Sequence, residues 1–515
     1  MSLSRTFAIA LDGVRGHVVE VEADISAGLP AFVLIGLPDT ALGESRKRVG
    51  AAAVNAGCPL TQKKLTINLS PAALPKQGSG FDLAIAVAAL SAAGAVPAES
   101  AARAVHLGEL GLDGRLRPVP GVLPAVLAAR EAGFPRVLVP AGNADEARLV
   151  DGIDVVAVTG LRAAAIFHGA ELDAPEGDEE PVLPPAAERR VQPEPDMAEV
   201  TGNDEAVEAL VAAAAGGHHL AMVGPPGAGK TMLARRLPTL LPDLAGGDAL
   251  EATCIRSLVG LGVGAELVRR PPFEAPHHTA SAVSLVGGGS GRITPGAIVR
   301  ATHGVLFLDE AAEFPPSVLD ALRQPLENGS ITIHRASGAA TFPARFQLVL
   351  ASNPCPCGHY GSADAECTCS PMARRRYLTR MSGPLLDRVD IRLTVRRLGL
   401  AALRSAAEPR PVGRTSQELR ARVEAARARA AERLAGTGWM RNADAAGSWL
   451  RAGERRLGPT AISPLDRALE RGAITMRGYD RTLRLAWTLA DLDDASSPDV
   501  DHVGRALFLR RGIAA

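Results

Sequence analysis

Between residues 6 and 35 apolar and polar positions alternate in short runs, FAIAL, GHVVEVEADI and AFVLIG. A period of two places every second side chain on one face, so these runs predict half-buried strands. The spacing then predicts a helix from Asp39 to Ala56 and another strand, KLTINLS. A Gly-rich turn leads into the apolar helical run FDLAIAVAALSAAGA, and ELGLDGRLRPV reads as a hairpin through Asp113-Gly114. The helix LPAVLAAREAG and the strands RVLVP and DVVAV complete an α+β unit at 1–170. Residues 171–198 are rich in Pro and acidic side chains with few large apolar groups, the composition of a flexible linker. Strand-turn-helix patterning returns at Glu199 and continues to Arg397, predicting an α/β core at 199–397. The remainder, 398–515, reads as helical; Thr415-Ser416-Gln417-Glu418 is a capping-box pattern opening a helix that Gly436 can close.

Composition narrows the class without changing this division. A chain of 515 residues exceeds one ordinary core, and length alone suggests about three domains. Lys+Arg and Asp+Glu balance at 56 each, so no global field draws the protein to nucleic acid or membrane. Any anionic partner must be held locally. No apolar run approaches the roughly 18–20 residues needed to span a bilayer, and MSLSRTFAIALDGVRG lacks the apolar stretch of a signal peptide. The expected location is the cytoplasm, where clustered cysteines read as ligands before they read as disulfides.

The densest chemistry lies in the α/β core. HLAMVGPPGAGKTMLARRL supplies a strand, a Gly-rich turn and a helix, matching G-x-x-x-x-G-K-[ST] with Gly224, Gly229, Lys230 and Thr231. Between them, Pro225, Pro226, Gly227 and Ala228 form the loop whose backbone N–H groups can curl around a β-phosphate. Lys230 would reach the β- and γ-phosphates of ATP and Thr231 would ligate Mg²⁺. GVLFLDE ends a buried strand in two carboxylates: Asp309 suits Mg²⁺ and Glu310 suits polarising an attacking water. RFQLVLASNP ends at Asn353, placed to orient that water, and Arg388 in SGPLLDRVD can project toward a neighbouring subunit's nucleotide. Directly after Asn353, NPCPCGHYGSADAECTCSP holds Cys355, Cys357, Cys367 and Cys369. Four thiolates suit a closed, structural Zn²⁺ site, with His359 in reserve; reduced free thiols and a redox switch are the alternatives. The adjacent His277 and His278 are assigned to structure or local hydrogen bonding, Cys58 and Cys254 to buried packing, and Trp439, Trp449 and Trp487 to packing anchors.

The ordered set GPPGAGKT, GVLFLDE, ASNP and SGPLLDRVD resembles the AAA+ ATPases of the magnesium-chelatase-like branch. With APHHTASAVSLVGGG, VLDALRQPLENGSITIHRASGAATFPARFQLV and the cysteine segment, the chain resembles the YifB/ComM family over nearly its whole length. The resemblance implies a multidomain α/β architecture: an N-terminal α+β domain of the Lon-protease (S5-type) fold, an AAA+ P-loop α/β core carrying a four-cysteine insert at 355–369, and a C-terminal helical lid. It implies a hexameric homo-oligomer that hydrolyses ATP to drive branch migration or helicase action on single-stranded or branched DNA during natural transformation, alongside recombination proteins. By the same carry-over Arg388 is the arginine finger and Arg477 the sensor 2 arginine, with Arg481 and Arg484 as neighbours that leave the choice open. Two departures stand out: Glu274 in FEAPHH where an Arg is usual, and Asn203 where a Gln is usual. Lon-type proteolysis is not expected, because Gly80 occupies the nucleophile's place with Ser79 out of register, and Leu123 and Ala125 stand where lysines belong.

A ring motor must grip its polymer. Ile331–Phe342 reads as a hairpin carrying His334 and Arg335, and SLVGGGSGRITPG places Arg292 in a Gly-rich loop; both suit phosphate contact. Residues 372–456 contain 20 arginines, no lysines and 8 acidic residues, a basic surface or a solvated helix face. The competing functions are a metal-insertion motor of the magnesium-chelatase type and a protein-remodelling AAA+ chaperone, although the hairpin lacks the aromatic-apolar pair common in the latter.

Overall fold

A computed structural model describes residues 2–36, 43–60, 63–76, 78–173, 194–289, 293–335, 338–361, 366–397 and 415–511. Most of the expected linker, Arg292 and the segment 398–414 lie outside the described residues.

The N-terminal unit is built on a seven-stranded mixed sheet. Its strands are β1 (Ser2–Asp12), β2 (Arg15–Ser26), β3 (Ala31–Ile35), β4 (Lys64–Ser70), β5 (Ala104–His106), β6 (Arg136–Pro140) and β7 (Asp154–Val158). They lie in the order β3-β4-β2-β1-β5-β6-β7. Helices α1 (Ser45–Asn55) and α2 (Asp82–Ala92) cover one face, and α3 (Val122–Glu131) packs on β1 and β2. Every residue of α2 is buried, which explains why its sequence is apolar on all sides instead of striped. A polar knot ties α1 to α2: buried Asp82 accepts from Arg48 Nε at 2.6 Å, from the Leu110 N–H at 3.2 Å and from the Ser45 hydroxyl. Ser79 donates to Glu109 and the buried Lys76 ammonium to the Pro71 carbonyl, so neither residue is arranged as a nucleophile-base pair.

The central unit is a five-stranded, wholly parallel sheet. In chain order its strands are β8 (Leu220–Val223), β9 (Phe273–Glu274), β10 (Val305–Leu308), β13 (Gln347–Ser352) and β14 (Ile391–Thr394), hydrogen-bonded as β9-β10-β13-β8-β14. The hairpin β11 (Ser330–Arg335) and β12 (Gly338–Pro343) stands apart, pairing Ser330 with Pro343 through Arg335 with Gly338. β8, β10 and β13 are buried at every position, as strands covered on both faces must be.

The C-terminal unit is helical: α8 (Ser416–Leu434), α9 (Pro459–Glu470), α10 (Met476–Leu492) and α11 (Val500–Arg511). The capping box forms at Thr415 and Glu418, and α8 stops immediately before Ala435-Gly436. Leu419, Val423, Leu483 and Trp487 share one core with α4 (Asp204–Gly216) and β8, so the lid is packed on the sheet. Many arginines of the basic stretch turn inward. Arg427 donates to the Ala214 carbonyl, Arg420 to the Thr239 carbonyl, and Arg433 pairs with buried Asp491 at 2.6 Å. The reading of this stretch as a basic surface is therefore corrected for these residues: they satisfy helix-end carbonyls and buried carboxylates.

The N-terminal unit docks on the core at two places. Gly121 N–H and Leu123 N–H donate to Ser257 at the end of α6 (Gly246–Leu258), with Cys254 buried in the shared apolar cluster. The β1–β2 turn meets the hairpin: a Cβ on Gly13 would lie 2.3 Å from the Thr341 carbonyl oxygen. Cys58 and Cys254 are both buried, as their isolation suggested.

Candidate nucleotide site and cysteine cluster

In a parallel α/β sheet, ligands bind beyond the carboxyl ends of the strands. The residues that follow the strand ends meet here. β8 runs into Gly224, where a Cβ would lie 2.1 Å from the Val395 carbonyl oxygen, so only glycine lets the backbone leave the sheet. Gly227 and Gly229 take left-handed φ of 74° and 92°, curling the loop onto the N-terminus of α5 (Lys230–Leu240). At that terminus the first helical N–H groups lack intrahelical partners and the dipole is positive, which favours phosphate.

Lys230 is 8% exposed, and its ammonium donates to the Gly224 carbonyl at 2.6 Å, the Pro225 carbonyl at 3.0 Å and Asn353 Oδ1 at 3.2 Å. Burial lowers its pKa from the ordinary lysine value, while Asp309 and Glu310 pull the other way. The loop carbonyls and Asn353 thus satisfy the buried cation. Thr231 Oγ1 donates to Asp309 Oδ2 at 2.6 Å, which brings together the two side chains expected at Mg²⁺. Glu310 follows with φ of 52°, in the left-handed region.

His278 Nδ1 lies 2.8 Å from Glu310 Oε2. Structure or local hydrogen bonding is the expectation for this residue, and its partner proves to be distant in sequence: the ring, arriving after the end of β9, holds the carboxylate expected to polarise water. His277 instead bonds the Thr279 hydroxyl at 2.8 Å. The signal was present in the APHH segment but needed the β9–β10 pairing to be legible. Glu274, the departure noted above, pairs with Arg300 at 2.9 Å. Asn203, the other, adopts φ of 53° at the start of α4.

The three lid arginines separate by their partners. Arg481 Nη1 lies 2.7 Å from Asp390 Oδ1 and 2.9 Å from the Arg388 carbonyl; Arg484 donates to the Ala445 carbonyl at 2.6 Å. Arg477 is exposed on the first turn of α10 and engages no carboxylate or carbonyl among the described residues. Arg388 is held within its own chain, donating to Glu327 and to the Pro384 carbonyl. His334 is exposed on β11, and the Arg335 backbone pairs across the hairpin with Gly338.

Cys355, Cys357, Cys367 and Cys369 place their sulfurs within 4.8 Å of one another. Three separations are 3.3, 3.7 and 3.6 Å. Tetrahedral Zn–S bonds of about 2.3 Å put ligand sulfurs about 3.8 Å apart, whereas a disulfide needs about 2.05 Å. The four sulfurs therefore fit a metal and not a disulfide. The His359 backbone N–H is the main influence drawing the Cys357 thiol down to about 6, so this sulfur ionises readily for a cation. His359 itself is exposed and lies outside the four-sulfur set.

Comparison with known proteins agrees with this arrangement. Residues 196–403 match the family described as magnesium chelatase, subunit ChlI; 21–143 match subunit ChlI of Mg-chelatase, and 413–510 match its C-terminal region. The chain is 50% identical to an uncharacterized protein of Mycobacterium tuberculosis over 99% of both chains. It is 39% identical to the uncharacterized protein YifB of Escherichia coli, over 99% of this chain and 97% of that one. It is 38% identical to the competence protein ComM of Haemophilus influenzae, over 99% and 98% respectively. A partial likeness, 32% over 139 residues, links it to Lon protease 1 of Sorangium cellulosum. Among the described residues no helix is long and apolar enough to cross a membrane. With matched regions spread over its three units and full-length likeness to YifB and ComM, the chain belongs to the YifB/ComM family of magnesium-chelatase-like AAA+ ATPases.

Proposed function

We propose that the protein is an ATP-driven ring motor acting on DNA, with branch-migration or helicase activity in recombination during natural transformation. The observation that carries the motor reading is the joined Lys230–Asn353 and Thr231–Asp309 pairs, with Glu310 steered by His278, at the ends of parallel strands. Loop N–H groups and Lys230 bind the phosphates, Thr231 and Asp309 hold Mg²⁺, and Glu310 takes the proton of a water that Asn353 orients. Developing charge on the transferred phosphoryl group calls for arginines. Arg388 supplies one across the subunit boundary after leaving Glu327, and Arg477, the uncommitted lid arginine, supplies the other.

DNA is the partner favoured by the likeness to a protein named for competence, and by the hairpin carrying His334 and Arg335 on a support from the N-terminal unit. The four-cysteine cluster is assigned structural Zn²⁺, on the spacing of its sulfurs. A second reading, the ATPase subunit of a metal-insertion machine, draws on the description of the matched family. Hydrolysis assays separate the readings. Branched DNA should stimulate phosphate release severalfold; stimulation by a porphyrin-binding partner or by unfolded polypeptide alone would transfer the assignment to a chelatase or a remodelling chaperone.

A further inference from the structure

The cysteine cluster touches elements that the proposed ATPase uses. Cys355 follows Asn353 by two residues, and Asn353 Oδ1 receives Lys230 at 3.2 Å. Cys355 is fully buried, and its carbonyl accepts the Gly358 N–H at 3.0 Å, closing a tight turn. That turn lies on the phosphate-binding loop: a Cβ on Gly358 would stand 2.8 Å from both Pro226 Cγ and Cδ. Pro226 is at the exposed outer part of the loop, and Gly358 has φ of 81°, so backbone approaches ring with no side chain between them. On the other side the Tyr360 N–H points at Cys355 Sγ, 3.4 Å away. Arg374, on α7 (Pro371–Leu378), lies 4.0 Å over the Tyr360 ring, linking the cluster to the helix that leads toward Arg388.

The insert has little else to hold it. It contains two short turns and a return through Cys367 and Cys369, without a strand or helix of its own among its described residues. Ordering such a segment costs backbone entropy at every residue, and a four-coordinate metal offsets that cost by fixing four points at once. We propose that Zn²⁺ on Cys355, Cys357, Cys367 and Cys369 braces the phosphate-binding loop, so that metal occupancy sets the affinity for nucleotide. The proposal rests on the ATPase reading. Its physical content is that the Gly358 turn presses Pro226 into the curled loop while Cys355 anchors Asn353 beside Lys230. Without metal, both supports relax together. Four thiolates and one Zn²⁺ carry a net charge of −2, and Arg374, Arg375 and Arg376 follow within seven residues of Cys369 to offset it.

The test uses the full-length chain. Metal content is read by plasma mass spectrometry, and nucleotide affinity by the fluorescence of a mant-labelled, non-hydrolysable ATP analogue, before and after zinc is stripped with a thiol-competing chelator. The native protein should carry about one zinc per chain. Stripping should weaken analogue binding about tenfold, with recovery on adding zinc back. The double variant Cys367→Ser, Cys369→Ser should lose zinc and bind as weakly as stripped protein. Gly358→Ala keeps four thiols, so it should retain zinc and still bind the analogue more weakly, because its methyl displaces Pro226. Where the cysteine variant fails to fold, the stripped native protein and Gly358→Ala still decide the matter. A protein that neither carries nor takes up zinc overturns the metal assignment. Equal analogue affinity with and without zinc overturns the brace while leaving the ATPase reading intact. Failure of both forms to bind nucleotide overturns the ATPase reading, and the proposal with it.

Discussion

Arg481 and Arg477 sit four residues apart on the first turns of α10, yet replacing each should have opposite consequences. Asp390, 2% exposed, immediately precedes β14 and accepts the His219 N–H at 3.1 Å, facing His218 at 3.6 Å. Desolvation alone would raise its pKa, but Arg481 and then His218 and His219 outweigh burial and hold the carboxyl well below the usual range. Arg481→Met removes the principal cation and leaves a buried charge. Breaking one partner of such a pair costs about 3–5 kcal/mol. The lid takes that loss, because Arg481 ties α10 to the strand beside β8. All three tryptophans of the chain, Trp439, Trp449 and Trp487, lie in the lid, so intrinsic fluorescence reports its unfolding directly. With a urea slope of about 2 kcal/mol per molar, the midpoint should fall by about 2 M in Arg481→Met. Arg477→Met, which removes an exposed side chain, should move the midpoint by less than about 0.3 M while abolishing most hydrolysis. An unshifted midpoint in Arg481→Met, or equal shifts in both variants, would refute the separation of structural from catalytic arginine.

Other expectations follow from single contacts. His278→Ala removes the 2.8 Å partner that steers Glu310, so ATP hydrolysis should fall severalfold; an unchanged rate in a phosphate-release assay contradicts that role. Gly224→Ala drives a methyl against the Val395 carbonyl, costing about 1–3 kcal/mol locally, and calorimetry should find nucleotide binding weakened with it. His106, on β5, and His168, at the end of the helix Leu161–Phe167, share a 2.9 Å contact in the N-terminal unit, where burial holds their pKa values at about 3 and about 4. The unfolded chain takes up those protons near 6.5 and the folded chain does not. Stability is therefore full above about 6.5 and falls with acidification toward about 4, by about 1.4 kcal/mol per pH unit per histidine. Protection of the Val105 and Leu107 amides, taken relative to the intrinsic exchange rate at each pH, should fall accordingly between pH 7 and 5, and unchanged protection would deny the buried pair this role.

Local chemistry was readable from the chain because its signals are local. Strand, Gly-rich turn and helix around Lys230 are contiguous, and the Thr415–Glu418 capping box spans four residues, so both were legible without a partner. His278 was not, since nothing in APHH reveals that β9 lies beside β10 and brings the ring to Glu310. The arginines of α8 misled for the same reason. Arg420 and Arg427 find their acceptors, Thr239 and Ala214, roughly two hundred residues away, and a partner at that distance leaves no trace in spacing. The partners of Arg481 and Arg484, Asp390 and the Ala445 carbonyl, likewise left no trace in the spacing of the lid arginines. Two Cys-x-Cys pairs identified the cluster, but not its contact with Pro226, which depends on how the loop curls.

The most direct measurement of the motor reading is the fate of a labelled, mobile four-way DNA junction incubated with the protein, Mg²⁺ and ATP. The account expects junctions to be resolved into duplex arms by the native protein, and not by Lys230→Ala or Glu310→Gln, nor with a non-hydrolysable analogue. Junctions left intact by a protein that hydrolyses ATP normally would contradict it.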